Sequence, residues 1–140
     1  MKVCFFHEDF DKDVSSGTRH AAYQWVELLL SFGIKEVAVV NTTSDSFPCV
    51  SAELKVKEYN TLEEFRETLT DEVVVCAEPE GEILYRNVNY KKIDWLVIGG
   101  ADGTNEDDDK SIVIPTEGKR ALYPREAAAI LLAEASWQLH

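Results

Sequence analysis

The sequence predicts an α/β fold, a mostly parallel sheet with helices on both faces. Three observations carry that expectation. Short apolar runs rich in β-branched residues recur along the chain, as in EVAVV (36–40), EVVVCA (72–77) and WLVI (95–98). Segments with helical apolar spacing fall between the runs, the alternation that parallel strands with crossover helices require. No internal repeat, low-complexity linker or proline-rich boundary interrupts the 140 residues, so residues 1–140 read as one domain with one core.

Each element has its own local reason. MKVCFF reads as a first strand. Residues 18–31 (TRHAAYQWVELLLS) carry apolar side chains at Ala21, Tyr23, Trp25, Val26, Leu28, Leu29 and Leu30, which makes a helix buried on a broad face. Gly33 follows as its C-terminal cap. Residues 36–40 form a second strand suited to burial on both faces. In residues 60–69, Thr61 is followed three positions later by Glu64, a helix-capping pattern, and Leu62, Phe65 and Leu69 supply the apolar stripe. Residues 72–77, 95–98 and 111–114 are three further strands. The last helix, 124–139, opens on Pro124, where the missing N–H costs nothing.

Composition narrows the chemistry. The chain has 26 acidic against 14 basic residues, a net charge of -12. Nucleic-acid binders draw affinity from phosphate contacts, so this balance disfavours general RNA or DNA binding. Lys91–Lys92 and the Lys119, Arg120, Arg125 group are the local basic patches. No run approaches the ~20 apolar residues of a membrane span, and the first ten residues meet acidic side chains too early for a signal peptide. A soluble, cytoplasmic chain is expected. Cys4, Cys49 and Cys76 lack both zinc-site spacing and the even count of a disulfide framework. Cys4 and Cys76 lie in apolar runs and are expected as reduced, buried thiols.

The segment LVIGGADGTNEDDDKSIVIPTEG (96–118) holds the candidate site. GGADG is neither GxxxxGK[ST] nor GxGxxG, and Asp102, Glu106 and three consecutive aspartates would repel a phosphate. Nor does it make a calcium loop: counted from Asp102, the sixth and twelfth places hold Asp107 and Val113 instead of glycine and glutamate. No metal is expected, and residues 105–110 read as a solvated surface loop. No serine or cysteine sits on a strand-to-helix elbow, and His7, His20 and His140 fall in different segments. His7 ends the first strand, where α/β folds gather ligand groups, but an exposed polar residue is the favoured reading. What remains is a pattern. Two strands end in glycine-containing turns, and a third turn (119–123) leads into the last helix. Three such loops, converging at strand ends, are expected to form a pocket whose backbone groups would suit a flat, neutral, nucleoside-like ring.

In that order, VIGGADG, IPTEG and ALYPREAAAILLAEASWQLH resemble the C-terminal motifs of the SPOUT class of RNA methyltransferases, closest to the TrmH-like ribose 2′-O-methyltransferases. SFGIKEVAVVNTT (31–43) is similar to that family's helix end and second strand. The resemblance covers nearly the whole chain at the length of a minimal domain. It implies a C-terminal trefoil knot, S-adenosyl-L-methionine held by the knot loops, and a homodimer. By position, the resemblance places Gly99, Gly100, Asp102, Ile114, Thr116, Gly118 and Leu122 around the cofactor. Thr116 stands where the family has methionine, and Tyr123 where it has asparagine. The first family motif, an Asn-x-x-Asn-x-Gly element with a following arginine, is replaced by DKDVSSGTRHAAYQW, in which only Arg19 can substitute. The expected function is S-adenosylmethionine-dependent ribose 2′-O-methylation of tRNA or rRNA, with Arg19 and then Tyr123 as the catalytic candidates. The alternative is a non-catalytic SPOUT-like binding or interaction protein that has lost methyl transfer.

Overall fold

The computed structural model describes residues 1–7, 15–42, 46–99 and 110–140, leaving aside the side chains of 15–19 and 119. They divide into two compact units, Lys2–Thr70 and Asp71–His140, the second with Met1.

The first unit holds strands β1 (Lys2–His7), β2 (Glu36–Asn41) and β3 (Lys55–Tyr59) and helices α1 (Ser15–Ser31) and α2 (Leu62–Glu67). β2 lies in the middle, parallel to β1 from Val3↔Val37 to His7↔Asn41 and parallel to β3 from Glu36↔Lys55 to Val40↔Tyr59. Val37, Ala38, Val39 and Val40 are all buried. Successive strand residues point to opposite faces, so both faces of β2 are covered, as its β-branched run predicts. The fully buried Phe5 ring stacks on Trp25 of α1 at 4.2 Å and meets the edge of Phe47 at 5.4 Å. Aromatic contacts of this kind add to the area buried.

α1 begins one turn before the expected residue 18 and ends as expected. Gly33 has φ 76, its N–H donates to the Leu30 carbonyl at 3.0 Å, and the Ile34 N–H donates to Leu29 at 2.9 Å. This is a Schellman cap, and its apolar pair, Leu29 and Ile34, is buried. In α2 the Thr61 Oγ1 accepts from the Glu64 N–H at 3.1 Å, while Glu64 Oε2 accepts from the Asn60 N–H at 3.0 Å. The helix stops at Glu67 because the Thr68 hydroxyl and N–H both turn back to the Phe65 carbonyl. Phe65 is buried edge-on to Tyr59 of β3. β3 was not expected. Its sequence, KVKEY, is mostly polar and largely exposed, the composition of an outer strand protected from further pairing.

The second unit holds β4 (Val74–Ala77), β5 (Ile83–Leu84), β6 (Trp95–Ile98), β7 (Lys110–Val113) and helix α3 (Pro124–Leu139), with 3-10 turns at Tyr85–Asn87, Tyr90–Lys92 and Glu117–Lys119. β4 is parallel to β6 on one side and to β7 on the other, and β5 is parallel to β7. β6 (WLVI) is buried along its whole length. β4 starts two residues later than expected. Before it, Val73 N–H donates to Asp94 Oδ2 at 2.7 Å, and the Val73 carbonyl accepts from Asp94 and Trp95. The two-residue β5 is too short to leave a periodic signal. α3 spans the expected residues and buries Ala128, Leu131, Leu132 and Ala135. Its far end is tied down by Gln138, whose Oε1 accepts from the Tyr90 N–H at 3.3 Å. The buried Tyr90 hydroxyl donates to the Tyr85 carbonyl at 2.9 Å. Burial, then the nearby Glu134 carboxylate and Tyr85, push its pKa above the usual tyrosine value and keep it a neutral donor.

The parallel strands and intervening helices are the α/β fold expected. The C-terminal knot that the resemblance implies depends on a path that includes residues 100–109, which lie outside the described residues. His7 corrects an expectation. It is 5% exposed, not a solvated strand end, because Phe47 packs edge-on over its ring at 5.4 Å. Its carbonyl also accepts from both the N–H and the hydroxyl of Thr42. Cys4 and Cys76 are buried cysteines outside any disulfide, as expected, and Cys49 is an exposed one.

Phe5→Ala should cost about 3–5 kcal/mol in urea unfolding followed by tryptophan fluorescence. A loss under about 1 kcal/mol would contradict the stacked Phe5–Trp25 core.

Candidate functional site

Three parallel strands set the site. β6, β4 and β7 run the same way, so their carboxyl ends and following loops leave the sheet at one edge. The register aligns Cys76 with Val97 and with Ser111, and Ala77 with Ile112. Ile98 therefore ends at the level of Ala77 and Ile112, and Gly99 turns away with φ 98. That left-handed conformation suits glycine. Ligands in open parallel sheets bind at this edge.

The loop after β4 is clamped onto β7. Glu78 N–H donates to the Ile112 carbonyl at 2.9 Å, and Glu82 N–H donates to the buried Ser111 hydroxyl at 3.0 Å. Between them, Gly81 lies so close that an added Cβ would fall 2.5 Å from the carbonyl carbon and oxygen of Ile112. Only glycine allows that approach.

The loop after β7 closes on itself. Thr116 Oγ1 donates to the Arg120 carbonyl at 2.6 Å, and Gly118, at φ 64, makes the bend. A Cβ on Gly118 would meet nothing within 4 Å, so open space lies beside this turn. Ile114, Thr116 and Leu122 are half-buried. Tyr123 starts α3 and is 73% exposed. Its N–H donates to Glu126 Oε1 at 3.0 Å and its carbonyl accepts from Ala127, so its backbone serves the helix start.

Gly99, Ile114, Thr116, Gly118, Leu122 and Tyr123, singled out in the sequence, thus lie in one unit on the loops of one sheet edge. Gly100 and Asp102 lie outside the described residues. Arg19 lies on α1 in the other unit, and its side chain lies outside the described ones. Sequence reasoning missed Gly81 and Ser111. The Glu78-Pro79-Glu80-Gly81 turn was the available signal, but the need for glycine there arises only from the approach of β7. Among the described residues, no group of three or more His, Cys, Asp or Glu side chains could hold a metal ion. No helix among them is long and apolar enough to cross a membrane.

No protein-family model and no curated protein matches the chain in sequence. Solved structures do match it in fold. The AdoMet-bound rRNA methyltransferase of Sinorhizobium meliloti superposes with a TM-score of 0.71 at 21% identity, over 99% of this chain and 56% of that one. The SpoU methyltransferase AviRb of Streptomyces viridochromogenes, in complex with the cofactor AdoMet, gives 0.70 at 16% identity, over 99% of this chain and 60% of that one. A structure describing 2-OH methylation of tRNA gives 0.73 at 16% identity, over 99% of this chain and 89% of that one. The chain spans little more than half the length of the first two. It has the α/β fold of the SpoU-type RNA methyltransferases, the SPOUT-like architecture that the C-terminal motifs resemble.

Gly81→Ala should lower unfolding stability by about 3 kcal/mol or more, because the Ile112 carbonyl cannot retreat without breaking β7. Gly118→Ala, strained but not crowded, should cost only about 1 kcal/mol. The reverse ranking in denaturant titrations would contradict the clamp on β7.

Proposed function

We propose that the chain binds S-adenosyl-L-methionine at the carboxyl edge of β6, β4 and β7 and methylates a ribose 2′-hydroxyl of tRNA or rRNA. The observation that carries this reading is the pair of left-handed glycine turns, Gly99 after β6 and Gly118 after β7, on loops that follow strands of that edge. The residues present fit the cofactor: backbone groups at close approach can hold an adenine ring, and the space beside Gly118 leaves room for it. Gly99, Gly100, Asp102, Ile114, Thr116, Gly118 and Leu122 would line it. Two structures of the same fold are described as AdoMet complexes, which supports the choice of ligand.

When bound, the cofactor supplies an electrophilic methyl group. The chain's own task is then to set the attacking hydroxyl in line with that methyl and to manage the proton it loses. Arg19 is proposed to orient the hydroxyl or its neighbouring phosphate. Tyr123, whose phenol is exposed at the head of α3, is the second candidate. RNA docking would rest on the local cations Lys119, Arg120 and Arg125 against an overall charge of -12.

A homodimer is part of the proposal. Trp137, near the end of α3, is 82% exposed, and Leu139 at its last position and Tyr123 just before its start are exposed as well. Large apolar side chains left uncovered on one helix mark an association surface. The C-terminal trefoil knot that the resemblance implies is part of the same proposal.

Calorimetric titration tests the cofactor site. S-adenosylmethionine should bind with micromolar strength, and Gly99→Val should abolish binding; no heat at millimolar ligand would overturn the reading. Transfer of labelled methyl to bulk RNA should then fall at least tenfold in Arg19→Ala, whereas equal transfer would remove Arg19 from the mechanism. Binding without any transfer would favour the non-catalytic alternative. In light scattering the wild type should be a dimer and Trp137→Glu a monomer; a monomeric wild type would contradict the dimer.

A further inference from the structure

Arg125 holds a cation that has no partner among the described residues. Its Nη1 is buried, and no described residue accepts a hydrogen bond from it or pairs with the guanidinium. A buried, charged donor left without an acceptor is costly. Such a group is stable when a ligand completes it.

The position of Arg125 shows which ligand could reach it. Gln138, near the end of α3, is bonded to Tyr90, which precedes β6 in the chain. α3 also packs along β6. At 1.5 Å per residue a helix of this length runs about 24 Å, well beyond a four-residue strand. The first turn of α3 therefore reaches the carboxyl edge, where Gly99 leaves β6 and the loop after β7 arrives. Arg125 lies three residues before Ala128, in line with the buried seam Ala128, Leu132 and Ala135. It is on the inner face of the helix, and helical side chains lean back toward the N-terminus, which here is the loop-lined edge.

We infer that Arg125 is the anion-binding residue of this pocket and holds the carboxylate of the cofactor's amino-acid end. The inference rests on the reading of the pocket as an S-adenosylmethionine site. Loop backbone groups can hold a neutral ring, but the ligand also carries a carboxylate, which needs a cation in a protein of net charge -12. A guanidinium matches a carboxylate with two parallel hydrogen bonds. A buried nitrogen is reached by a small ligand inside the pocket rather than by a polymer lying on the surface.

Two probes separate this inference from the reading beneath it. S-adenosylhomocysteine carries the carboxylate, and 5′-methylthioadenosine lacks the whole amino-acid end. In calorimetry the wild type should prefer S-adenosylhomocysteine by about 10- to 100-fold, the range for a hydrogen bond to a charged group. Arg125→Gln should erase that preference and leave methylthioadenosine binding unchanged, which also reports an intact fold. Arg125→Lys should keep part of the preference. If Arg125→Gln binds S-adenosylhomocysteine as tightly as wild type, or wild type binds both probes equally, the inference is overturned while the cofactor site stands. If wild type binds neither probe, both fall.

Discussion

β4 receives hydrogen bonds from β6 on one side and β7 on the other, and the rest of the site depends on that double parallel pairing. β4 thus separates β6 from β7 in the sheet. Because all three strands point one way, every loop that follows them leaves at the same edge. Ala77, Ile98 and Ile112 end at one level, and the conformations of Gly81, Gly99 and Gly118 follow from what must happen next. Gly81 lets the loop after β4 press against Ile112, while Gly99 and Gly118 take left-handed turns, Gly118 beside open space. α3 then begins at that edge and is fixed at its far end by Gln138 and Tyr90.

Much of this was legible in the residues because the signals were local. EVAVV and WLVI are continuous apolar runs, and strands covered on both faces require them. α3 announced itself through Pro124 and an alanine- and leucine-rich run, and α2 through Thr61 and Glu64. The Schellman cap at Gly33 was equally local. The elements that escaped lack such signals. KVKEY has the polarity of a surface loop, and only its pairing with β2 makes it a strand. Ile83–Leu84 is a strand solely because β7 lies beside it. Burial of His7 depends on Phe47, forty residues away in sequence, so nothing at the strand end could announce it.

The candidate site divides the same way. Its loops were visible because glycine, proline and chain order mark them, and the motif order resembles that of the fold's methyltransferases. The demands of contact were not visible. Gly81 is an ordinary turn glycine until β7 approaches it, and Arg125 is an ordinary helical arginine until one nitrogen proves buried with no described acceptor.

The central claim is that the edge formed by β6, β4 and β7 is a ligand pocket. It is tested most directly by mapping backbone amide chemical shifts in isotope-labelled protein as S-adenosylhomocysteine is added. The account predicts saturable changes concentrated at Gly99, Ile114, Thr116, Gly118 and Leu122 and at the first turn of α3. Changes confined to residues Lys2–Thr70, or none at all at millimolar ligand, would contradict it.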